Sequence, residues 1–438
     1  MDRSRKAAFD TLLRIQRDGA YSNLALSAVL DGETLTATDS AFASALVYTT
    51  LERQITIDYE LSLYLRQPIK KLRPEVCTAL RMGAAQILFM DKVPASAAVN
   101  ESVRLVRQNK NTVYAAGLVN AVLRKVASGG LRLPDTDDDF ARSVRYACPE
   151  WLVSLWTRAY GRSDADAIMA DALGDAPTYV RVNTLKTTAD ALCETLRLAG
   201  VQAQRVPTLP DALLLTKCGA PERLQAFADG LFHVQDAASQ YCCEALDVQP
   251  GQTVYDVCAA PGGKSFTLAE MMRGTGSLTA FDLYPQRVRL IESGARRLDI
   301  RNLRTAVHDA AETDTSRPPA DRVLCDVPCA GLGVIGKKPE IRFKSSQEID
   351  KLHELQYNIL CISSAYLKKG GRLVYSTCSL NPQENEEVCR RFLHEHPSFC
   401  TVPILPDVDK RVQDNMTTLL PHRSRSDGFF ITAMLKTE

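Results

Sequence analysis

Two cysteines stand just past short apolar runs. Cys329 lies in Asp326-Val327-Pro328-Cys329-Ala330-Gly331-Leu332-Gly333, and Cys378 in Tyr375-Ser376-Thr377-Cys378-Ser379. A thiolate is a strong nucleophile that adds covalently to an electron-poor carbon, so cysteines in such places could do chemistry. A free cysteine is more often a small, buried, inert residue, and this chain has 13. The neighbours set these two apart: the carboxylate of Asp326 precedes one, and hydroxyls surround the other. No metal is expected. There is no Cys-x-x-Cys pair, and the grouping of Cys389, His394, His396 and Cys400 has the spacing of no common zinc module.

A third motif, Val254-Tyr255-Asp256-Val257-Cys258-Ala259-Ala260-Pro261-Gly262-Gly263-Lys264-Ser265, runs an apolar strand into small residues and then a helix. Small residues let a ligand approach the backbone, and a helix N-terminus offers free N–H groups to a negative group. Gly-Gly-Lys-Ser resembles the end of a phosphate-binding loop, but Cys258 sits where that motif needs its first glycine. The other reading is a nucleoside cofactor with a carboxylate or sulfonium head, such as S-adenosylmethionine. A Rossmann-type sheet holding it needs an acid at the end of its second strand to accept the ribose hydroxyls. Asp282 ends the strand Ser277–Phe281, 20 residues beyond Gly262. Asp309, after Val307-His308, ends a third strand and would face the adenine. One Asp at a strand end is commonly a helix cap. Asp282, Asp309 and Asp326, in order after a glycine-rich turn, are harder to explain that way.

The elements that must hold these residues fall into three zones. Residues 1–130 read as helices: apolar positions recur at three and four, as in Ala8, Leu12 and Ile15, and a helix starts at Arg73-Pro74 and stops before Pro94. Ser128-Gly129-Gly130 and the acidic run Asp135–Asp139 read as a linker. Residues 145–235 mix an alternating strand, Tyr179–Asn183, with a helix at Asp190–Ala199 closed by Gly200, and further strands at Ala212–Thr216 and Leu231–Val234. From 236 to 438, strands at Gln252–Cys258, Ser277–Phe281, Asp321–Cys325 and Arg372–Ser376 alternate with helices. These include Pro285–Leu298 and Gln347–Leu367, the latter capped by Ser345 and Glu348 and closed by Lys368, Lys369 and Gly370. The inner face of that helix is expected at Ile349, Leu352, Leu355, Ile359 and Ile362. Such alternation indicates a doubly wound α/β sheet, which binds ligands at the carboxyl ends of its strands.

Asp-Val-Cys-Ala-Ala-Pro-Gly-Gly-Lys-Ser, Ala-Phe-Asp, His-Asp-Ala, Asp-Val-Pro-Cys-Ala-Gly-Leu-Gly and Tyr-Ser-Thr-Cys-Ser-Leu-Asn-Pro-Gln-Glu-Asn-Glu follow one another in this order. Together they resemble the RNA cytosine-C5 methyltransferase superfamily, from His233-Val234-Gln235-Asp236 to Asp427-Gly428-Phe429-Phe430. With the helical zone and Val180-Arg181-Val182-Asn183, the chain is similar to the bacterial 16S rRNA subgroup of Sun or RsmB type. That resemblance implies an all-α NusB-like RNA-binding domain, a small α+β ferredoxin-like (RRM-like) module and a C-terminal α/β Rossmann-like methyltransferase domain dependent on S-adenosyl-L-methionine. It implies cofactor contacts at Cys258, Ala259, Ala260, Pro261, Gly262, Gly263, Lys264, Asp282, Asp309 and Asp326. It makes Cys378 the nucleophile that adds to C6 of cytosine, Cys329 the group assisting release, and Asp326 a base that also touches the cofactor. Ala330 and Ser265 stand where Ser and Thr are more usual.

RNA would need positive charge near this cleft. Lys337, Lys338, Arg342 and Lys344 follow Cys329 with Glu340 as the one acid among them; a solvated loop is the plain alternative, and phosphate contact is the expectation. Arg181 and Lys186 in the small module, and Arg104, Arg107 and Lys110 in the helical zone, are expectations of the same kind. The whole chain is balanced, 53 Lys+Arg against 52 Asp+Glu over 438 residues for a net charge of +1, so any RNA must be held by local patches. With 45% hydrophobic and 24% charged residues the composition is that of a globular protein. No run is long and apolar enough to span a bilayer and the start is charged throughout, so a cytoplasmic protein is expected. The expected state is a monomer with 16S rRNA as partner. The competing reading is an RNA-binding transcription or assembly factor whose methyltransferase domain is vestigial.

Overall fold

The apolar spacing of the first zone becomes a run of helices in the computed structural model, which describes every residue except 1, 20, 21, 33, 34, 217 and 406. The chain divides into two units, residues 1–174 with 335–344, and residues 175–334 with 345–438. In the first unit, helices at Arg3–Asp18, Ser22–Leu30, Ala37–Glu52, Gln54–Ser62, Pro74–Phe89, Ala95–Arg107 and Ala116–Gly129 enclose a core that includes Ala8, Leu46, Leu80, Val106 and Leu123. Pro74 occupies the first turn of its helix as expected. The first helix is stopped by Gly19 in a left-handed conformation, φ 62°.

The first unit holds three more helices. Helices at Asp139–Tyr146, Glu150–Tyr160 and Arg162–Asp171 belong to it, and the first strand of the small module starts only at Thr178. The expected linker is pinned. The backbone N–H and guanidinium of Arg132 both bond the buried carboxylate of Glu60, and Asp138 caps the helix that follows. Among the described residues, no helix is long and apolar enough to cross a membrane.

In the second unit the small module is a four-stranded antiparallel sheet of β1 (Thr178–Val182), β2 (Gln202–Val206), β3 (Leu209–Thr216) and β4 (Phe232–Val234), in the order β2-β3-β1-β4. One face is covered by the helix Ala189–Leu198, through Leu192 and Leu196. The larger sheet contains β5 (Thr253–Asp256), β6 (Ser277–Asp282), β7 (Leu303–Val307), β8 (Ala320–Asp326), β9 (Leu367–Thr377), β10 (Phe399–Val402), β11 (Arg411–Gln413), β12 (Met416–Leu419) and β13 (Phe429–Lys436). Its order is β11-β12-β13-β9-β8-β5-β6-β7, with β10 also on β13. The pairs from β9 through β7 are parallel; those involving β10 to β13 are antiparallel. The chain winds from β5 to β7 on one side and then returns to β8 and β9 on the other. The reversal lies between β5 and β8, the point at which such sheets open a binding crevice at their carboxyl ends.

The helix after Ser345 departs from expectation. Its capping box is present, but the chain turns at Asp350-Lys351, giving Ser346–Ile349 and Leu352–Ala365. Leu355 is 39% exposed, and Gln356, Ser363 and Ser364 take the inner face instead. Gln356 is drawn in because its amide bonds the Pro328 carbonyl at 2.9 Å. Lys368, Lys369 and Gly370 do not close a helix; they begin β9, where the pairing with β8 shifts register.

Candidate active site

Four strand ends converge on the crevice. After β5 the chain passes through Val257–Gly262, with a cis Ala260–Pro261 bond, into the helix Gly263–Met271. Phe266 of that helix explains two glycines. A Cβ on Gly262, whose φ is 111°, would lie 2.5 Å from its ring, and one on Gly294 of the helix Pro285–Leu298 would lie 2.4 Å from it. The loop is held from the next strand. The Ala259 N–H bonds the Phe281 carbonyl at 2.7 Å, and the Ala260 N–H bonds Asp282 Oδ2 at 3.2 Å. Asp282, at the end of β6, is 3% exposed; it also accepts from the Tyr284 N–H and pairs with Arg287 at 3.3 Å. Asp309 lies just beyond β7, half-buried, with Oδ1 accepting from the Ala311 N–H at 2.9 Å. The Cys258 thiol is pushed far above its ordinary value by burial and is chemically quiet.

Asp326 ends β8 as the hub of a polar chain. Its Oδ2 accepts from Lys264 Nζ at 2.8 Å and its Oδ1 from Ser376 Oγ at 2.7 Å; Ser376 Oγ in turn accepts from the buried thiol of Cys242 at 3.2 Å. Burial opposes the charge on Lys264, but the attraction of Asp326 and their hydrogen bond outweigh it and raise the ammonium above the usual lysine value. Lys264, expected as a cofactor contact, thus points its amine at Asp326. At the base of the loop, Asp256 is buried, accepts from Ser265 Oγ at 2.6 Å, and is pushed up by burial to about 7.

Cys329 and Cys378 meet here. Their sulfurs are 3.3 Å apart and both thiols are free. The shared hydrogen bond splits their acidities: donation from Cys329 lowers Cys378 against the effect of burial, while Cys329 is driven well above its ordinary value by the same bond and by burial. Either sulfur can donate in this contact, and the direction of the two shifts favours Cys329 as donor to Cys378. The loops are stitched by backbone bonds. The Gly333 N–H reaches the Cys378 carbonyl, and the Gly428 N–H the Gly333 carbonyl, each at 2.9 Å. Asp236 Oδ1 accepts from the Asp427 N–H at 2.9 Å, joining the two ends of the motif series.

One residue of the site carries no role in the sequence reading: Glu384, in Asn381-Pro382-Gln383-Glu384. It is fully buried and bonds both cysteine loops. Its signal in the sequence is its place in the Cys378 motif, six residues past the thiol; charge alone reads as surface.

Two of the expected RNA contacts are corrected. Arg181 is 2% exposed and its guanidinium is taken by Asp211, Glu244 and Glu270. Arg342 is also 2% exposed and donates to the Glu52 and Ala172 carbonyls within the helical unit. Both are packing residues, because an isolated buried cation must be paired where it lies. Lys338 is exposed, Lys337 and Lys344 are half-buried, and Lys186 bonds the Asp229 and Arg297 carbonyls.

The likeness to known proteins follows this layout. Residues 243–435 match the 16S rRNA methyltransferase RsmB/F family, residues 2–128 the NusB family, and residues 148–220 the ferredoxin-like domain of RsmF/B-like methyltransferases. The probable ribosomal RNA small subunit methyltransferase B of Bacillus subtilis (strain 168) is 35% identical over 99% of this chain and 98% of its own. This chain belongs to the RsmB/F family of 16S rRNA methyltransferases. The ribosomal RNA small subunit methyltransferase B of Pseudomonas putida is 31% identical over 99% of this chain and 98% of its own. The solved structure of a protein designated PH0851 superposes with a TM-score of 0.84 at 26% identity, covering 98% of both chains. The RsmB/F architecture is the one described above: a NusB-like helical domain, a ferredoxin-like module and a methyltransferase sheet.

Proposed function

We propose that this RsmB/F enzyme transfers a methyl group from S-adenosylmethionine to C5 of one cytosine in 16S rRNA, with Cys378 as covalent nucleophile. The observation that carries this reading is the pair of sulfurs 3.3 Å apart beside Asp326, where the hydrogen bond between them makes Cys378 the more acidic thiol. The residues present suit the cofactor. A cradle of small residues leads into a helix N-terminus, and the buried Asp282 waits at the second strand end as acceptor for ribose hydroxyls. S-adenosylmethionine, when bound, supplies an electrophilic methyl group.

C5 of cytosine is a poor nucleophile. Addition of the Cys378 thiolate to C6 makes C5 enamine-like, and C5 then accepts the methyl group. Asp326, fixed by Lys264 and Ser376, contacts the polar edge of a flipped-out base and takes the C5 proton. The electron pair of that C–H bond restores the ring double bond and expels Cys378 as thiolate. Cys329, within hydrogen-bond reach of the leaving sulfur, stabilises it by donating its S–H.

RNA affinity we assign to the helical unit, where two stretches are free of acids. Residues 61–74 hold four basic residues and residues 102–134 six, with no Asp or Glu in either. They lie side by side, since Arg73 bonds the Asn111 carbonyl at 2.9 Å and Tyr64 the Lys125 carbonyl at 3.2 Å. Tyr114, 72% exposed, offers a ring to an unpaired base. Such an enzyme works where ribosomes are built, in the cytoplasm.

The test separates the two thiols. Cys378→Ala should form no protein–RNA bond, whereas Cys329→Ala, which loses a donor to Cys378 and so attacks more slowly, should be slowed still more in release and accumulate a methylated covalent complex that survives a denaturing gel. Cys361→Ala, on the helix Leu352–Ala365, should methylate normally. Intact methylation in both Cys378→Ala and Cys329→Ala would overturn the reading, and the reverse adduct pattern would exchange the roles.

A further inference from the structure

Glu384 is fully buried, and no basic side chain pairs with it among the described residues. Burying an unpaired carboxylate is costly, and hydrogen bonds must offset the lost hydration. Each of its oxygens is used. Oε1 accepts from the Ala330 N–H at 2.7 Å and from Gln356 Nε2 at 3.0 Å, and Oε2 accepts from Ser379 Oγ. The Glu384 carbonyl accepts from the Tyr375 hydroxyl at 2.6 Å. Gln356 Nε2 also holds the Pro328 carbonyl. The residue on each side of Cys329 is therefore fixed, one by Glu384 and the other by its partner Gln356. The residue after Cys378 is fixed by the other oxygen of the same carboxylate.

We propose that Glu384 is a positioning residue for catalysis: its carboxylate clamps the Cys329 loop to the Cys378 loop and sets the separation at which one thiol donates to the other. This deepens the nucleophile assignment above and rests on it. A neutral side chain of the same length could fill the space. Two acceptor oxygens facing three donors call for a carboxylate, because an amide would turn an N–H toward one of them. The placement also discriminates between the thiols. The Glu384 charge acts on Cys329 and favours its protonated form, after the hydrogen bond to Cys378 and burial. Around Cys378 the charged groups are Asp326, Lys264 and Asp427. Glu384 thus favours the protonated Cys329 that donates to its neighbour.

The experiment is the pH dependence of iodoacetamide alkylation at Cys378, followed by peptide mass spectrometry on the full-length protein without RNA or cofactor. In the wild type, Cys378 should react with a midpoint below that of an ordinary thiol, about 8.5, and much faster than Cys329. Glu384→Gln should raise that midpoint and slow Cys378 alkylation at neutral pH by about tenfold, and narrow the gap between the two cysteines. It should lower kcat far more than it raises KM for RNA. If Glu384→Gln does not fold, Ser379→Ala and Gln356→Leu each remove one strand of the clamp and should shift the midpoint the same way, by less. An unchanged Cys378 midpoint in any folded variant of these three overturns the proposal. Because alkylation needs neither substrate, this outcome is distinct from failure of the methyl-transfer reading, which would show as methylation surviving Cys378→Ala.

Discussion

Asp282, Asp326 and Cys378 were legible because each stands where a strand must end, and strand ends in a doubly wound sheet face the crevice. The partners of Asp326 and Cys378 are not legible, since hydrogen bonds between side chains 49 or more residues apart leave no local pattern. The sequence places Cys378 past a strand end without showing what lies beside it; in the structure the Cys329 sulfur is 3.3 Å away. Arg181 and Arg342 failed as surface cations for the same reason: nothing next to them in the chain reveals Asp211, Glu244 and Glu270, or the Glu52 and Ala172 carbonyls. At this scale the cofactor assignment makes a definite prediction. Asp282→Ala should remove two hydrogen bonds to the ribose and weaken S-adenosylmethionine binding by about 2–4 kcal/mol, at ~1–2 kcal/mol per charge-assisted bond. Calorimetry on the folded variant checks it, and unchanged affinity would reject the assignment.

Elements were read well where periodicity and caps agree, as at Pro285–Leu298 and the Ser345 capping box. They leave no periodic signal where burial is two-sided or absent. β12 is buried at all four positions and β2 is an exposed edge, so neither alternates. Turns between elements carry their own constraints. A Cβ on Gly333 would sit 1.8 Å from the Gly428 carbonyl oxygen, so Gly333→Ala must shift the Cys329 loop against the Gly428 backbone. It should cost ~1–3 kcal/mol of stability by overpacking and lower the rate of covalent adduct formation. Normal adduct kinetics in that variant would show the two loops to be independent.

The small module is joined to the methyltransferase sheet by a buried polar cluster in which Glu270 contacts Arg181 and His233. Burial dominates the acidities there, pushing Glu270 up to about 8 despite Arg181 and lowering His233 to about 3. The sign for Glu270 is fixed: a folded value above the unfolded one means stability is full below the ordinary carboxylate range and is lost as pH rises through about 8. Glu270→Gln removes that loss. In urea titrations of the second unit's unfolding, the variant should gain on the wild type between pH 5 and pH 9. A difference that stays constant with pH would mean that Glu270 is ionised throughout, held by Arg181.

For the whole molecule, charge and fold divide the labour. A net charge of +1 over 438 residues gives no general pull on a polyanion, so affinity must come from where cations are left without acids. Residues 61–74 are such a place. Arg66, Lys70 and Lys71 are exposed there and bond no carboxylate among the described residues. By contrast, Arg104 and Arg132 in the same unit are tied to Glu101 and Glu60. Replacing Arg66, Lys70 and Lys71 together by Glu in the full chain should leave S-adenosylmethionine binding unchanged, since none lies in the unit that carries Asp282. RNA binding should weaken and lose part of its salt dependence. Three phosphate contacts release counterions with a slope of about 0.7 each on single-stranded RNA, so the slope of log K against log salt should fall by roughly 2. Filter binding of a 16S fragment at several salt concentrations reads this directly. An unchanged slope would place the RNA on another face of the protein, with the exposed Lys338 beyond the Cys329 loop as the next cation to test.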